Sequence, residues 1–164
     1  MDSIDKFNKL SKAEFISIFG NIFEKTEWIA EKCYESKPYN NLDELVSKMM
    51  KIFENIDKER HLEILNSHPD LAVEKKLTED SKNEQKNASL NQCNDAEFIE
   101  FKKLNEEYKK KFGFPFIIAV KGKNKEEILN SFRQRITNNI NLEFEEAKKQ
   151  VKKIASFRLS EIIK

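Results

Sequence analysis

Two short segments contain the residue types that acid–base chemistry uses. The first is the tetrad His68-Pro69-Asp70-Leu71, and the second is Ser81-Lys82-Asn83-Glu84-Gln85. Because proline disfavours the helical conformation for the residue before it, we expect His68 to be extended where a helix ends. An unperturbed imidazole titrates near neutral pH, so His68 is a candidate general acid or base. A purely structural histidine is the alternative, and Asp70 either caps the next turn or orients the imidazole.

The second segment is predicted to lie on a helix that begins near Asp80. Spacings of three and four residues place Ser81, Glu84 and Gln85 toward the inner side of that helix. A helix this polar gains little from packing, so these inward groups favour a binding or catalytic role. A capping box formed by Ser81 and Glu84 is the alternative.

The longest apolar run of the chain extends from Phe112 to Val120. Its β-branched residues would suit a strand, but no second run offers a partner, and an isolated strand leaves backbone groups unpaired. We interpret the run as a buried extended loop near residues 114–121, whose amides and carbonyls could face a ligand. Its aromatic residues, Phe112, Phe114 and Phe116, are more typical of a hydrophobic core than of a binding site.

Arg158 is a third unusual residue, because it lies on the inward side of the predicted last helix. It follows Ile154 by four residues and Ala155 by three. A buried guanidinium without an anion is costly, so we expect a partner, either Glu84 or a substrate carboxylate. Alternatively, the aliphatic stem packs while the charged head reaches solvent.

Helical periodicity dominates the chain, which contains three Gly and three Pro. Helix starts are predicted at capping pairs: Ser11 with Glu14, Asn41 with Glu44, and Asn124 with Glu127. Gly113 is predicted to end a helix whose inward stripe begins at Phe98. His61 is expected at the surface or its boundary. We predict an all-α fold, with residues 1–164 forming one compact multi-helix domain.

Composition excludes several classes of protein. The 30 basic and 29 acidic residues are interleaved and give a net charge of +1, which argues against a nucleic-acid binder. The two isolated cysteines favour neither a disulfide framework nor a zinc site. No apolar run is long enough to span a membrane. We expect a cytoplasmic protein without a metal site.

Three motifs in order carry a resemblance to a known family. The tetrad at His68, the pattern Ser81-x-x-Glu84-Gln85 and the run Phe112-Gly113-Phe114-Pro115-Phe116-Ile117 resemble the OHCU decarboxylases. These enzymes act on 2-oxo-4-hydroxy-4-carboxy-5-ureidoimidazoline in urate degradation. The resemblance covers roughly residues 8 to 162.

The resemblance implies an all-helical carboxy-lyase that forms (S)-allantoin, works as a homodimer and needs no metal or organic cofactor. The resemblance implies that His68 is the proton donor and that Glu84 shares the catalytic role. It also implies that Arg158 lines the site as a charged residue. The implied substrate-binding residues also include Pro69, Ser81, Lys82, Asn83, Gln85, Phe116, Ile117, Ile118, Ala119 and Val120. The alternative is a catalytically inactive helical relative that serves as an interaction domain.

Overall fold

The structure, a computed structural model, describes residues 3–71, 79–87, 90 and 93–163. Within these residues the elements are helical and no strand occurs. The α-helices are α1 (Ser3–Asn8), α2 (Lys12–Phe19), α3 (Glu27–Glu35), α4 (Leu42–Asn55), α5 (Lys58–Ser67), α6 (Glu79–Asn87), α7 (Asp95–Phe112), α8 (Lys125–Arg135) and α9 (Ile140–Ile162). The predicted all-α class is confirmed.

Local side-chain chemistry sets the ends of several helices. At the starts of α2, α4 and α8 the predicted cap side chain accepts a hydrogen bond from the backbone N–H of the glutamate three residues later. The end of α7 is Gly113, whose φ of 81° lies in the left-handed region that glycine adopts without steric cost. These boundaries were predictable because each depends on a few neighbouring residues.

The chain forms two compact units, and the first comprises Met1–Ile64 and Lys152–Lys164. Its core is rich in phenylalanine, and the rings of Phe23 and Phe53 stack with centroids 4.7 Å apart. His61 is buried here, with its Nε2 2.7 Å from the carbonyl oxygen of Phe53. The expectation of a surface or boundary position for His61 is therefore wrong, because the Phe53 carbonyl satisfies the imidazole inside the unit.

The second unit comprises Leu65–Val151 and is centred on Tyr108. The Tyr108 ring has four aromatic neighbours at centroid distances of 4.4 to 5.9 Å: Phe112, Phe114, Phe116 and Phe132. Phe98 is 38% exposed and does not continue this buried stripe, contrary to expectation. It lies in the first turn of α7, where the described residues cover it only in part.

The segment from Phe114 to Val120 is buried throughout and is neither helix nor strand. The predicted buried loop is confirmed over these residues, and it ends before Lys121, which is exposed. No helix in the described ranges is both long and apolar enough to cross a membrane. The assignment of the whole chain to one domain stays a prediction.

Candidate active site

His68 lies directly after the end of α5, as the proline that follows it predicts. The helix ends at Ser67, and the backbone N–H of His68 donates to the carbonyl oxygen of Leu65 at 3.3 Å. His68 as a whole residue is 9% exposed. Helix termination therefore places His68 outside α5, at a largely buried position of the second unit.

Side chains from α6 and α7 hold the rest of the tetrad. Lys109 Nζ lies 2.7 Å from Asp70 Oδ2, and Gln85 Nε2 donates to the Asp70 carbonyl oxygen at 3.2 Å. Asn105 Nδ2 donates to the carbonyl oxygen of Leu71 at 3.1 Å. The backbone at residues 69–71 is not helical or extended in a sheet, so these side chains provide the hydrogen bonds that secondary structure would otherwise provide. They fix the position of the backbone that follows His68.

The second predicted segment lies on α6, where its side chains differ in exposure. Ser81 and Gln85, one turn apart, are buried, and Glu84 is half-buried. Lys82 and Asn83 are exposed. Because α6 already begins at Glu79, Ser81 lies in its first turn and not at the N-cap position that a capping box with Glu84 would require.

One turn of α7 contacts both the tetrad and the buried segment that begins at Phe114. Asn105 and Lys109, four residues apart, bind the tetrad. Tyr108, between them, packs edge-on against Phe114 and Phe116, with ring centroids 5.9 and 5.4 Å apart. Helical spacing of three and four residues puts these side chains on neighbouring positions of one face. α7 therefore supports both the tetrad and the buried segment, and α6 is joined to the tetrad through Gln85.

The buried segment is held by polar side chains at two points. Arg135 Nη1 donates to the carbonyl oxygen of Ile117 at 2.6 Å, and the N–H of Ala119 donates to Gln150 Oε1 at 3.0 Å. Arg135 is in turn paired with the fully buried Glu143, at 2.9 Å. A segment without regular structure thus has its backbone fixed from α8 and α9.

Tyr108 also donates a hydrogen bond from its phenol to Glu143. Burial, and then this bond to a carboxylate, raise the pKa of Tyr108 well above its usual range. The phenol is therefore neutral at physiological pH and acts as a hydrogen-bond donor to Glu143. This supports the position of α7 relative to the start of α9 within the second unit.

Arg158 belongs to the first unit, where the structure supplies an anion for it. Its Nη2 lies 2.9 Å from Glu24 Oε2, and its Nη1 donates to the carbonyl oxygen of Asn21 at 2.7 Å. The Arg158 side chain is 5% exposed, so the alternative with the charged head in solvent is wrong. The expected partner was Glu84 or a substrate carboxylate, and the partner in the structure is Glu24. A substrate-contacting role for Arg158 stays a prediction.

Several residues that support the site were not found from the sequence. Asn105 follows Phe101 by four residues, and this inward spacing of an amide was an available signal. Arg135 lies in the last turn of α8, where a basic residue is also expected to interact with the helix dipole. No spacing rule pairs Arg135 with Glu143. Within the ranges described above, no group of three His, Cys, Asp or Glu side chains could hold a metal ion.

Comparisons with known proteins identify the family of the chain. A family model for OHCU decarboxylase matches residues 8–160. The "Uric acid degradation bifunctional protein" of Bacillus sp. (strain TB-90) is 40% identical over 164 residues, which are 100% of this chain but 33% of that protein. The chain thus spans about a third of the length of this relative.

Two further matches cover larger shares of their own chains. The "2-oxo-4-hydroxy-4-carboxy-5-ureidoimidazoline decarboxylase" of Haloferax volcanii is 35% identical over 97% of this chain and 95% of its own length. The crystal structure of an (S)-allantoin synthase superposes with a TM-score of 0.80, at 28% identity, over 100% of this chain and 54% of that one. The resemblance seen in the motifs is confirmed, and the chain belongs to the OHCU decarboxylase family.

Proposed function

We propose that this protein decarboxylates 2-oxo-4-hydroxy-4-carboxy-5-ureidoimidazoline to (S)-allantoin, a step of urate degradation. Membership of the OHCU decarboxylase family over residues 8–160 is the observation that carries the proposal. The arrangement around α7 supports it, because Asn105 and Lys109 fix the tetrad while Tyr108 packs against the buried segment. The proposed site requires no metal or organic cofactor.

The substrate supplies the electron sink for its own decarboxylation. The bond to the departing carboxylate breaks, and its electron pair forms a double bond to the neighbouring ring carbon as that carbon's C=N bond becomes a C–N bond. The ring nitrogen takes up a proton. The enol-like intermediate is then protonated at the ring carbon that bears the ureido group, and the hydroxyl loses its proton to water as it becomes the ring carbonyl. Protonation on one face gives one enantiomer of allantoin.

In this reaction His68 is the general acid that protonates the intermediate. Glu84, half-buried on α6, biases the protonation of the imidazole and binds the ureido N–H groups. Gln85 assists, and its amide also holds the Asp70 carbonyl. Together with Pro69, Ser81, Lys82 and Asn83, these residues form the wall of the proposed pocket nearest the tetrad.

The remaining contacts come from the segment Phe116–Val120, whose backbone amides bind the ring oxygens. Arg158 either binds the substrate carboxylate or serves as a structural counter-ion. Its guanidinium is already paired with Glu24, so both carboxylates would share one arginine if the substrate binds there. An arginine can do this because it has five donors in a planar fork.

The test is decarboxylation of freshly generated substrate, made in situ from urate and followed by circular dichroism of the allantoin. We expect fast formation of one enantiomer, and we expect His68→Asn to lower kcat by ~10²–10⁴-fold. His61→Asn is the matched control, because it removes the other histidine, which is bonded to Phe53. Slow racemic product from the wild-type protein would instead identify an inactive relative.

The proposed assembly is a homodimer in the cytoplasm. Large apolar side chains exposed in the second unit, such as Ile99 at 65% and Ile140 at 54%, offer surface for a second copy. Both cysteines are unpaired, which suits a reducing compartment. Sedimentation at micromolar concentration would give twice the chain mass of 19.4 kDa, and a monomer mass would overturn the dimer.

A further inference from the structure

A fully buried carboxylate accepts hydrogen bonds from several side chains of the second unit. Glu143, in the first turn of α9, is 0% exposed. It accepts hydrogen bonds from Arg135 Nε at 3.0 Å, from Asn138 Nδ2 at 3.0 Å and from the phenol of Tyr108. A buried charge is tolerated only when it is paired and hydrogen-bonded, and Glu143 meets both conditions.

Arg135 connects Glu143 to the buried segment Phe114–Val120. Its Nε and Nη2 face Glu143, while its Nη1 donates to the Ile117 carbonyl. The guanidinium carbon also lies 4.4 Å from the centre of the Phe116 ring, a cation–π contact. A planar guanidinium can make all of these contacts at once, whereas a lysine ammonium cannot.

The segment is anchored again two residues later, and one residue lies between the anchors. The Ala119 N–H is bound by Gln150 of α9. Ile118 is buried, yet in the described part of the chain no group is hydrogen-bonded to its amide or its carbonyl. Buried backbone groups are rarely left without partners. The two anchors therefore present a backbone unit suited to a polar ligand.

We propose that the Arg135–Glu143 pair positions Ile118 and its neighbours for substrate, which makes Arg135 and Glu143 positioning residues for substrate binding. The inference rests on the proposed function, because that function assigns Phe116–Val120 to substrate contacts. We assign the pair an indirect role, through the Ile117 carbonyl that Arg135 holds. Its loss should therefore weaken substrate binding more than it slows the chemical step.

The first test replaces Arg135 by lysine and measures kcat and KM separately. Lysine keeps the positive charge beside Glu143 but cannot also hold the Ile117 carbonyl. We expect KM to rise by about tenfold while kcat changes by less than about threefold. Arg133→Lys is the matched control, since Arg133 lies on the same helix and pairs with Glu100 at the surface. Equal KM values in the two variants would overturn the proposal.

A second readout needs no substrate. Hydrogen exchange of the apo protein, resolved to peptides that cover residues 114–120, should be faster in Arg135→Lys than in Arg133→Lys. Peptides from α2 and α3 should be unchanged in both variants. Unchanged exchange at 114–120 would refute the positioning role whatever the protein's activity. If the wild type shows no decarboxylation, the proposed function fails while this measurement still decides the positioning role.

A repacked variant separates positioning from stability. The triple variant Tyr108→Phe/Arg135→Met/Glu143→Leu removes the buried charges and their phenol partner together, a replacement that buried ion pairs often tolerate. We expect a folded protein whose KM remains raised by about tenfold, because nothing binds the Ile117 carbonyl. A folded triple variant with the wild-type KM would mean that the pair only stabilises the fold. Arg135→Lys decides the matter if the triple variant does not fold.

Discussion

Among the residues that the structure describes, each unit contains a buried arginine–glutamate pair, and the two pairs are closely similar in geometry. In the first unit Arg158 lies 2.9 Å from Glu24 and donates to the Asn21 carbonyl. In the second unit Arg135 lies 2.9 Å from Glu143 and donates to the Ile117 carbonyl. Each arginine therefore links a buried carboxylate to a backbone carbonyl outside a helix. Both glutamates are 0% exposed.

The two pairs differ in how readily their arginines can be recognised as buried from the sequence. Arg158 lies within the apolar stripe of α9, where a charged residue stands out against Ile154 and Ala155. Arg135 closes α8, where a basic residue is ordinary. Helical periodicity thus reveals a buried charge in the middle of a helix, whereas a charge at a helix end can be equally buried without interrupting an apolar stripe.

The largest expected effect comes from breaking each pair on its acidic side. Glu143→Gln and Glu24→Gln each leave a buried guanidinium without an anion, so each should lower the free energy of unfolding by about 3–5 kcal/mol. In Glu143→Gln the hydrogen bonds from Tyr108 and Asn138 should weaken as well, because both donate to that carboxylate. Urea denaturation measures both values.

The control for these substitutions is Glu100→Gln, which breaks a pair at the surface. Glu100 and Arg133 are 34% and 50% exposed, so the loss should be at most about 1 kcal/mol. A loss from Glu143→Gln no larger than that of the control would show that the buried carboxylate contributes little to folding.

The next effect distinguishes a substrate ligand from a counter-ion at Arg158. We expect Arg158→Gln to lower kcat/KM roughly 10–100-fold, the loss typical of one charge-assisted hydrogen bond. Adding Glu24→Gln should recover part of the stability, since no buried charge then lacks a partner, but it should not recover activity. Recovery of activity in the double variant would make Arg158 a counter-ion of Glu24 alone.

A smaller effect is expected at the ion pair that supports the tetrad. Lys109 and Asp70 are 42% and 12% exposed, so Lys109→Met should cost about 0.2–1 kcal/mol of stability at low salt. Because solvent-exposed pairs are screened, the difference from wild type should shrink in about 1 M sodium chloride. Denaturant titrations at the two salt concentrations test this, and a salt-independent loss would contradict it.

The smallest expected effect is a change in the rate of thiol labelling at Cys33, which lies in the first unit. Burial raises the pKa of the Cys33 thiol to about 12, and burial raises the pKa of the less buried Cys93 as well. Cys93 should therefore react with a thiol reagent before Cys33, and both should react faster as pH rises and thiolate forms. Glu24→Gln should accelerate labelling of Cys33, and an unchanged rate would show that the pair does not limit opening there.

Helix boundaries were the most predictable part of the fold. The capping side chains of Ser11, Asn41 and Asn124 bind glutamate amides three residues away, and Gly113 ends α7 in the left-handed region. Such interactions involve one helical turn, so local sequence is sufficient. The position of His68 after α5 follows from Pro69 in the same way.

The prediction of burial was less successful because it depends on which surfaces meet. His61 was expected at the surface or its boundary but is bonded to the Phe53 carbonyl inside the first unit. Phe98 was expected to face inward but is 38% exposed. A 3.6-residue period gives the side of a helix on which a residue lies, not how far the neighbouring elements extend along it.

The helical class, several helix ends and the family follow from the sequence alone, because each depends on local chemistry or on motifs in a fixed order. The catalytic roles of His68 and Glu84 remain predictions. Only the tertiary structure decided that Glu24 is the anion for Arg158, that Asn105 and Lys109 hold the tetrad, and that Arg135 joins Glu143 to Ile117. The physical reason is that a buried charge or amide requires a partner, but the residue that provides it can be more than a hundred positions away in the chain, as with Arg158 and Glu24, where |i−j| is 134.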